Sequence, residues 1–191
     1  MNFEDIVYKR RTIRRFKQDV IPLEVLKKLL DFARVAPMAR NIQGLEFIIV
    51  HSAEIRNKLF PLVSWARSLP QNERTPEKGR EPTAYIIVLL NTDIKKSYVD
   101  FDVGAAVENI LLGAVNFGIG CCWMGSIDRR KIRKLLEIPD FYEIKHVISL
   151  GYPDEESVVE PYLDSFDYWK DKDGRMHVPK RSLENVLFKT F

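Results

Sequence analysis

Apolar residues recur at helical spacing after Pro22. Leu23, Leu26, Leu29, Leu30 and Ala33 fall on one face, so the pattern predicts an amphipathic helix that stops near Pro37. Residues 3–10 give a shorter helix bearing Phe3, Ile6 and Val7. The run Leu45 to Val50 is short and apolar with a β-branched end, which predicts a buried strand. A helical stretch follows from about Ala53 to Ala66. Residues 68–82 carry three prolines, a glycine and many charges, so they predict a long exposed loop placed as a lid. Tyr85–Leu90, Cys121–Met124 and Lys145–Leu150 predict three more strands, and residues 128–137 a charged helix. Strands and helices intermix along the chain, which means a layered α/β or α+β domain.

Two stretches do not fit a self-sufficient chain. Residues 102–117 are apolar nearly all round, the pattern of a helix buried on every side, inside a large domain or between subunits. From Tyr152 onward the chain is rich in charge, proline and aromatics. Its only periodic piece is a short strand or helix at Leu183 to Phe188. Tyr162, Phe166, Tyr168, Trp169, Leu183, Val186, Leu187 and Phe188 are too apolar for a disordered tail, so it should wrap over its own domain or a partner. A second copy of the chain, related by a two-fold axis, would cover both stretches.

Composition narrows the class. The 191 residues suit one domain, are 46% hydrophobic and 30% charged, and carry a formal net charge of +3. So weak a basic excess gives no ground for expecting a nucleic acid. No apolar run is long enough to span a membrane and the first residues do not resemble a signal peptide, so a cytoplasmic protein is expected. Cys121 and Cys122 are adjacent and unsuited to a mutual disulfide; they read as small core residues. No cysteine or histidine cluster points to a metal.

Four segments carry candidate chemistry. In RRTIRRF, guanidinium groups and a hydroxyl suit a phosphate, and alternation in an extended stretch would let Arg10, Thr12 and Arg14 converge on one anion. In APMARNIQG, between a helix and a strand, the Asn41 and Gln43 amides offer donors and acceptors for a heterocycle's edge. GIGCCWMGS brackets a strand with glycines, which let backbone approach a flat ligand. Lys180 and Arg181 form a basic pair near the end. Each alone has a bland reading: solvated patch, local turn, strand-end glycine, surface charge.

Their order along the chain resembles the nitroreductase family of flavoproteins. That family runs R-R-S-x-R-x-F, then A-P-S-x-x-N-x-Q-P, a helix D-x-G-A-A-x-x-N, then G-L-G-x-x-W-x-G-G and a late basic residue. The matching stretches here are RRTIRRF, APMARNIQG, DVGAAVENILLGA, GIGCCWMGS and PKRSLENV.

The resemblance implies an α+β nitroreductase-like fold, a central mixed sheet flanked by helices in an intertwined homodimer. Residues 1–191 would form one flavin-binding domain, with 152–191 wrapping on the partner subunit. It implies an FMN-dependent oxidoreductase that takes two electrons from NAD(P)H through flavin N5. They would pass in ping-pong order to a small electron-poor acceptor such as a nitroaromatic or quinone. Arg10, Arg11, Thr12 and Arg14 would hold the FMN phosphate, with Arg181 or Lys180 as the terminal basic contact. Pro37, Met38, Ala39, Asn41 and Gln43 would meet the ring from the neighbouring subunit, and Met124, Gly125 and Ser126 would face the N5 region. No side chain is assigned as catalytic acid or nucleophile, and His51, His146 and His177 read as structural. Met38 stands where the family has Ser, Gly44 where it has Pro, and Ser126 where a second Gly is common. Two other classes fit parts of the pattern: a flavin protein that dehalogenates, destroys the flavin or oxidises its substrate, and a basic nucleic-acid-binding module.

Overall fold

The computed structural model describes all 191 residues. The elements in order are α1 (Phe3–Lys9), β1 (Phe16–Lys17), α2 (Leu23–Arg34), β2 (Leu45–Val50), α3 (Ala53–Leu59), α4 (Gln71–Arg74), β3 (Ala84–Asn91), α5 (Val99–Asn116), β4 (Gly120–Met124), α6 (Arg129–Leu135), β5 (Tyr142–Pro153), β6 (Ser157–Pro161), β7 (Trp169–Lys170), β8 (Met176–Lys180) and α7 (Leu183–Val186).

The sheet is organised by two long apolar strands. β3 pairs with β2 on one side and β5 on the other, both antiparallel. β5 also pairs antiparallel with β4 and, at its end, with β1. The parallel pairings that make the strand set mixed are the Thr12–Cys121 bridge and β6 with β8. β3 is buried on both faces, which is why it reads as a continuous apolar run rather than an alternation. Ile86, Val88 and Leu90 join one core with α2 and α5; Tyr85, Ile87 and Leu89 join a second with Leu59, Trp65 and Ile132. Adjacent Cys121 and Cys122 fall on opposite faces, one in each core, both as free thiols. Burial pushes the Cys122 thiol up to about 11, and Cys121 is raised as well, so neither is a nucleophile near neutrality.

Several expectations need correction. The helix expected over 53–66 ends at Leu59, because Pro61 lies in the following tight turn and cannot continue the ladder. The segment 68–82 is no free loop: it contains α4, buries Leu69, and is tied by Glu77 to Arg15 and by Arg80 to Asp154. β5 runs through to Pro153, so residue 152 is not a boundary. The tail builds a small sheet, β6-β8-β7, and buries Met176 in the second core of its own domain. Met176 is the one buried residue after Gly151, an anchor of roughly 1.5–3 kcal/mol by transfer energy, which holds the sheet but not the last residues. Leu183, Phe188 and Phe191 are exposed in the single chain. α5 likewise buries one stripe only; Gly104, Ala105, Leu112 and Val115 are half-open. No helix is long and apolar enough to cross a membrane.

Candidate cofactor site

The arginine segment owes its shape to its neighbours. α1 opens on a reciprocal cap between Asn2 and Asp5 and closes at Arg10, where the backbone turns extended. The chain then runs beside the start of β4: Thr12 bridges Cys121, and the Ile13 N–H donates to the Cys121 carbonyl at 2.9 Å. Gly120 permits this approach, since a Cβ there would lie 2.7 Å from the Cβ of Ile13. From the other side the Glu155 carboxylate, 3% exposed, accepts the backbone N–H groups of Arg14 (2.5 Å) and Arg15 (3.3 Å).

This places Arg10, Arg11 and Thr12 around a cleft of about 280 Å³. Its other walls are Glu108, Leu111 and Val115 of α5 and Cys121 and Trp123 of β4. Arg10 Nε lies 3.6 Å from the half-exposed Glu108 carboxylate. Arg11 donates to the Tyr8 carbonyl at 3.1 Å, but its Nε is buried without a partner. Burial, and then the neighbouring Arg10 charge, lower the Arg11 pKa; a guanidinium so lowered remains a cation at neutral pH. Two cations and one loosely placed carboxylate therefore line the cleft, a local field that favours an added anion.

Strict alternation fails at Arg14. Thr12 and Arg14 are two residues apart, yet the Glu155 carboxylate holds the Arg14 and Arg15 N–H groups and the Arg14 side chain turns away from the cleft. Its guanidinium stacks on the Tyr168 ring at 4.8 Å and faces Cys122. Its Nε is also buried without a partner.

The segment after β4 is reached through Trp123, which lines the arginine cleft and meets His146 edge-on at 5.3 Å. Met124 is buried, Gly125 exposed and Ser126 half-buried. His146 lies directly beneath Gly125: a Cβ there would sit 3.3 Å from the imidazole. Burial lowers the His146 pKa, so the ring is neutral at pH 7. Ser126 Oγ accepts from the Arg67 guanidinium at 3.0 Å.

Two predicted groups lie elsewhere. Pro37, Asn41 and Gln43 are exposed and Ala39 half-buried on the turn after α2; Met38 and Gln43 line a separate open cleft of about 470 Å³ that shares no residue with the first. Lys180 and Arg181 are exposed at the end of β8, with the Arg181 guanidinium on the Asn185 carbonyl. Sequence reasoning missed Glu108, Glu155, Arg67 and the Lys95–Asp102 pair. Asp102 opens the DVGAA stretch and was visible there. The others are single charges whose meaning comes only from residues far away in the chain.

Comparison with known proteins identifies the family. The Nitroreductase family pattern matches residues 7–152, so the chain belongs to that family, whose members are flavin oxidoreductases. A protein of Archaeoglobus fulgidus, provisionally named NADH dehydrogenase/NAD(P)H nitroreductase, is 34% identical over 158 residues, covering 79% of this chain and 85% of its own. The iodotyrosine deiodinase of Thermotoga neapolitana is 26% identical over 164 residues, covering 79% and 88%. Among solved structures, an FMN-dependent nitroreductase of Clostridium difficile superposes with a TM-score of 0.66 at 25% identity, covering 84% of this chain and 92% of that one. The chain is an α+β nitroreductase-fold protein and a flavin oxidoreductase.

Proposed function

We propose that the chain binds FMN, accepts electrons from NAD(P)H and delivers two of them to a small electron-poor acceptor. The observation that carries the reading is the half-buried Arg11, its Nε buried without a partner, beside Arg10 on one cleft. The residues fit the group: two cations and the Thr12 hydroxyl suit a terminal phosphate. Trp123 leads from there to the exposed backbone of Gly125, so the ring would extend toward Met124, Gly125 and Ser126. His146 fills the space under Gly125 and keeps that backbone from collapsing. Bound FMN supplies the electron transfer; the protein holds and orients it. Lys180 and Arg181 would close on the phosphate from the tail. Arg14 serves to seat Tyr168 of the tail on the domain.

The ring-edge residues 37–43 lie on a separate cleft of the same chain, which supports a site completed by a second copy. The half-open stripe of α5 and the exposed Leu183, Phe188 and Phe191 are the surfaces it would cover. The test is the absorbance spectrum of purified protein, followed by anaerobic NAD(P)H and light scattering. Flavin bands that bleach, on a dimer, are expected. A colourless protein that rejects added FMN removes the reading. A yellow protein that NAD(P)H does not bleach moves it to a flavin protein with another electron donor.

A further inference from the structure

A buried ion pair lies beneath the turn at 38–41. Lys95 and Asp102 are 4% and 2% exposed, with their charged atoms in direct contact. Asp102 stands in the first turn of α5 and Lys95 in the connection from β3. The other Asp102 oxygen, Oδ1, accepts the Ala39 N–H at 2.9 Å, and Lys95 Nζ donates to the Ala39 carbonyl at 3.4 Å. Both backbone polar groups of one residue therefore end on the same ion pair. The turn needs such a hold: Arg40 and Asn41 stand at φ 58° and 55°, a left-handed pair unfavourable for residues with a Cβ. Gly44 completes the arrangement. A Cβ there would sit 2.6 Å from the Lys95 Cβ, so Lys95 reaches the turn because position 44 carries no side chain.

We propose that Lys95 and Asp102 are positioning residues that hold the 38–41 turn in the shape that meets the edge of the flavin ring, with Gly44 giving them room. This rests on the FMN reading above, in which Pro37, Met38, Ala39 and Asn41 supply the edge contacts. A buried ion pair is a poor device for stability, since an apolar pair of similar volume often does as well or better. An apolar pair cannot fix an N–H and a C=O in direction. Direction is the property that polar partners for Ala39 provide and an apolar pair does not. The clamp acts on the ring end of the site and leaves the arginine cleft alone, because the two clefts share no residue.

The experiment titrates apoprotein with FMN and with riboflavin, which has the same ring and no phosphate. Lys95→Met should weaken both by the same factor, about tenfold, the loss of one charge-assisted contact, and should shift the visible band of the bound flavin. Arg10→Ala should weaken FMN alone. Because Lys95→Met leaves a buried carboxylate and can fail to fold, two uncharged pairs carry the decision. Lys95→Met with Asp102→Asn keeps an oxygen for the Ala39 N–H and should bind both flavins within about threefold of wild type. Lys95→Met with Asp102→Leu should melt no lower than the Met/Asn pair yet bind both flavins about tenfold more weakly. A Met/Leu variant with wild-type affinities and an unshifted spectrum overturns the positioning role and leaves the FMN reading standing. Wild-type protein that binds neither flavin overturns both.

Discussion

The arginine segment and the basic pair at 180–181 carry the same charges, and the fold treats them in opposite ways. Arg14 and Arg15 are drawn into the protein by a strand start and the buried Glu155 carboxylate, with Arg11 half-buried beside them. Lys180 and Arg181 hang in solvent at the end of a small sheet that one buried methionine anchors. The first group is held by the fold itself; the second stands free of the domain's core. Charge in the sequence marks both, and burial separates them.

The sharpest break of the comparison is in stability. Arg15 is 3% exposed and answers two carboxylates, Glu77 at 2.7 Å and the buried Glu155 at 3.5 Å. Arg15→Met leaves Glu155 buried without its cation, a change of about 3–5 kcal/mol. Arg181→Met should lie within about 0.5 kcal/mol of wild type, as exposed substitutions do. Urea unfolding of the two variants checks this. Equal midpoints would mean that the N-terminal clasp is no more than surface charge.

Ligand binding gives the next contrast. Arg10→Ala or Arg11→Ala removes a charge-assisted bond worth roughly 1.5–3 kcal/mol, so FMN affinity should fall about ten- to a hundredfold. Arg181 would make the same bond, but it must first leave the Asn185 carbonyl and lose side-chain freedom, an offset of about 0.5–1.5 kcal/mol. Its removal should cost about fivefold. Quenching of flavin fluorescence measures all three. A larger loss at Arg181 than at Arg11 would reverse the order and make the tail the principal phosphate holder.

The physics of each region also decides how much of it could be read in advance. β3 declares itself because burial on both faces leaves no polar position in AYIIVLL. α2 declares itself through one apolar face. The arginine segment was legible as chemistry, but not the direction of Arg14, which depends on Glu155 and Tyr168 far along the chain. The tail sheet was not legible: β7 is two residues long, and β8 gains its place through Met176 in a distant core. Nor was the pinning of residues 68–82, whose exposed, charged look hides three anchors, Leu69, Glu77 and Arg80. The Lys95–Asp102 clamp shows the same limit, since nothing local tells a buried ion pair from two solvated charges.

The smallest effect, and the most selective, is the response to pH, where the two regions carry opposite signs. In the clasp, the hydrogen bond from Arg15 holds the Glu77 carboxyl at about 2, against an ordinary 4.5. A depressed folded value means that the contribution is complete above the unfolded value and is lost as pH falls from 4.5 toward 2. In the tail sheet, His177 on β8 lies 3.1 Å from Asp171 and 3.0 Å from Glu160 on β6, with the Trp169 ring of β7 stacked on it at 4.2 Å. The hydrogen bond to Asp171, and then Glu160, raise the imidazole pKa above 6.5. A raised folded value reverses the sign: the contribution is complete below 6.5 and is lost as pH rises through the raised value. As pH rises above neutrality through the raised value, the tail sheet should therefore loosen while the clasp stays closed. Solvent screens both sets of charges, so the effect should appear in local opening rather than in the global midpoint. Trp169 reports it directly, because a protonated imidazole stacked on indole quenches its emission. Emission should rise with pH and cleavage of the tail by protease should quicken. His177→Gln should abolish both changes, and Glu77→Gln should leave them intact while removing the acid-side loss. If His177→Gln protein keeps the same alkaline transition, the imidazole does not hold β6, β7 and β8 together, and the contrast between the two regions reduces to burial alone.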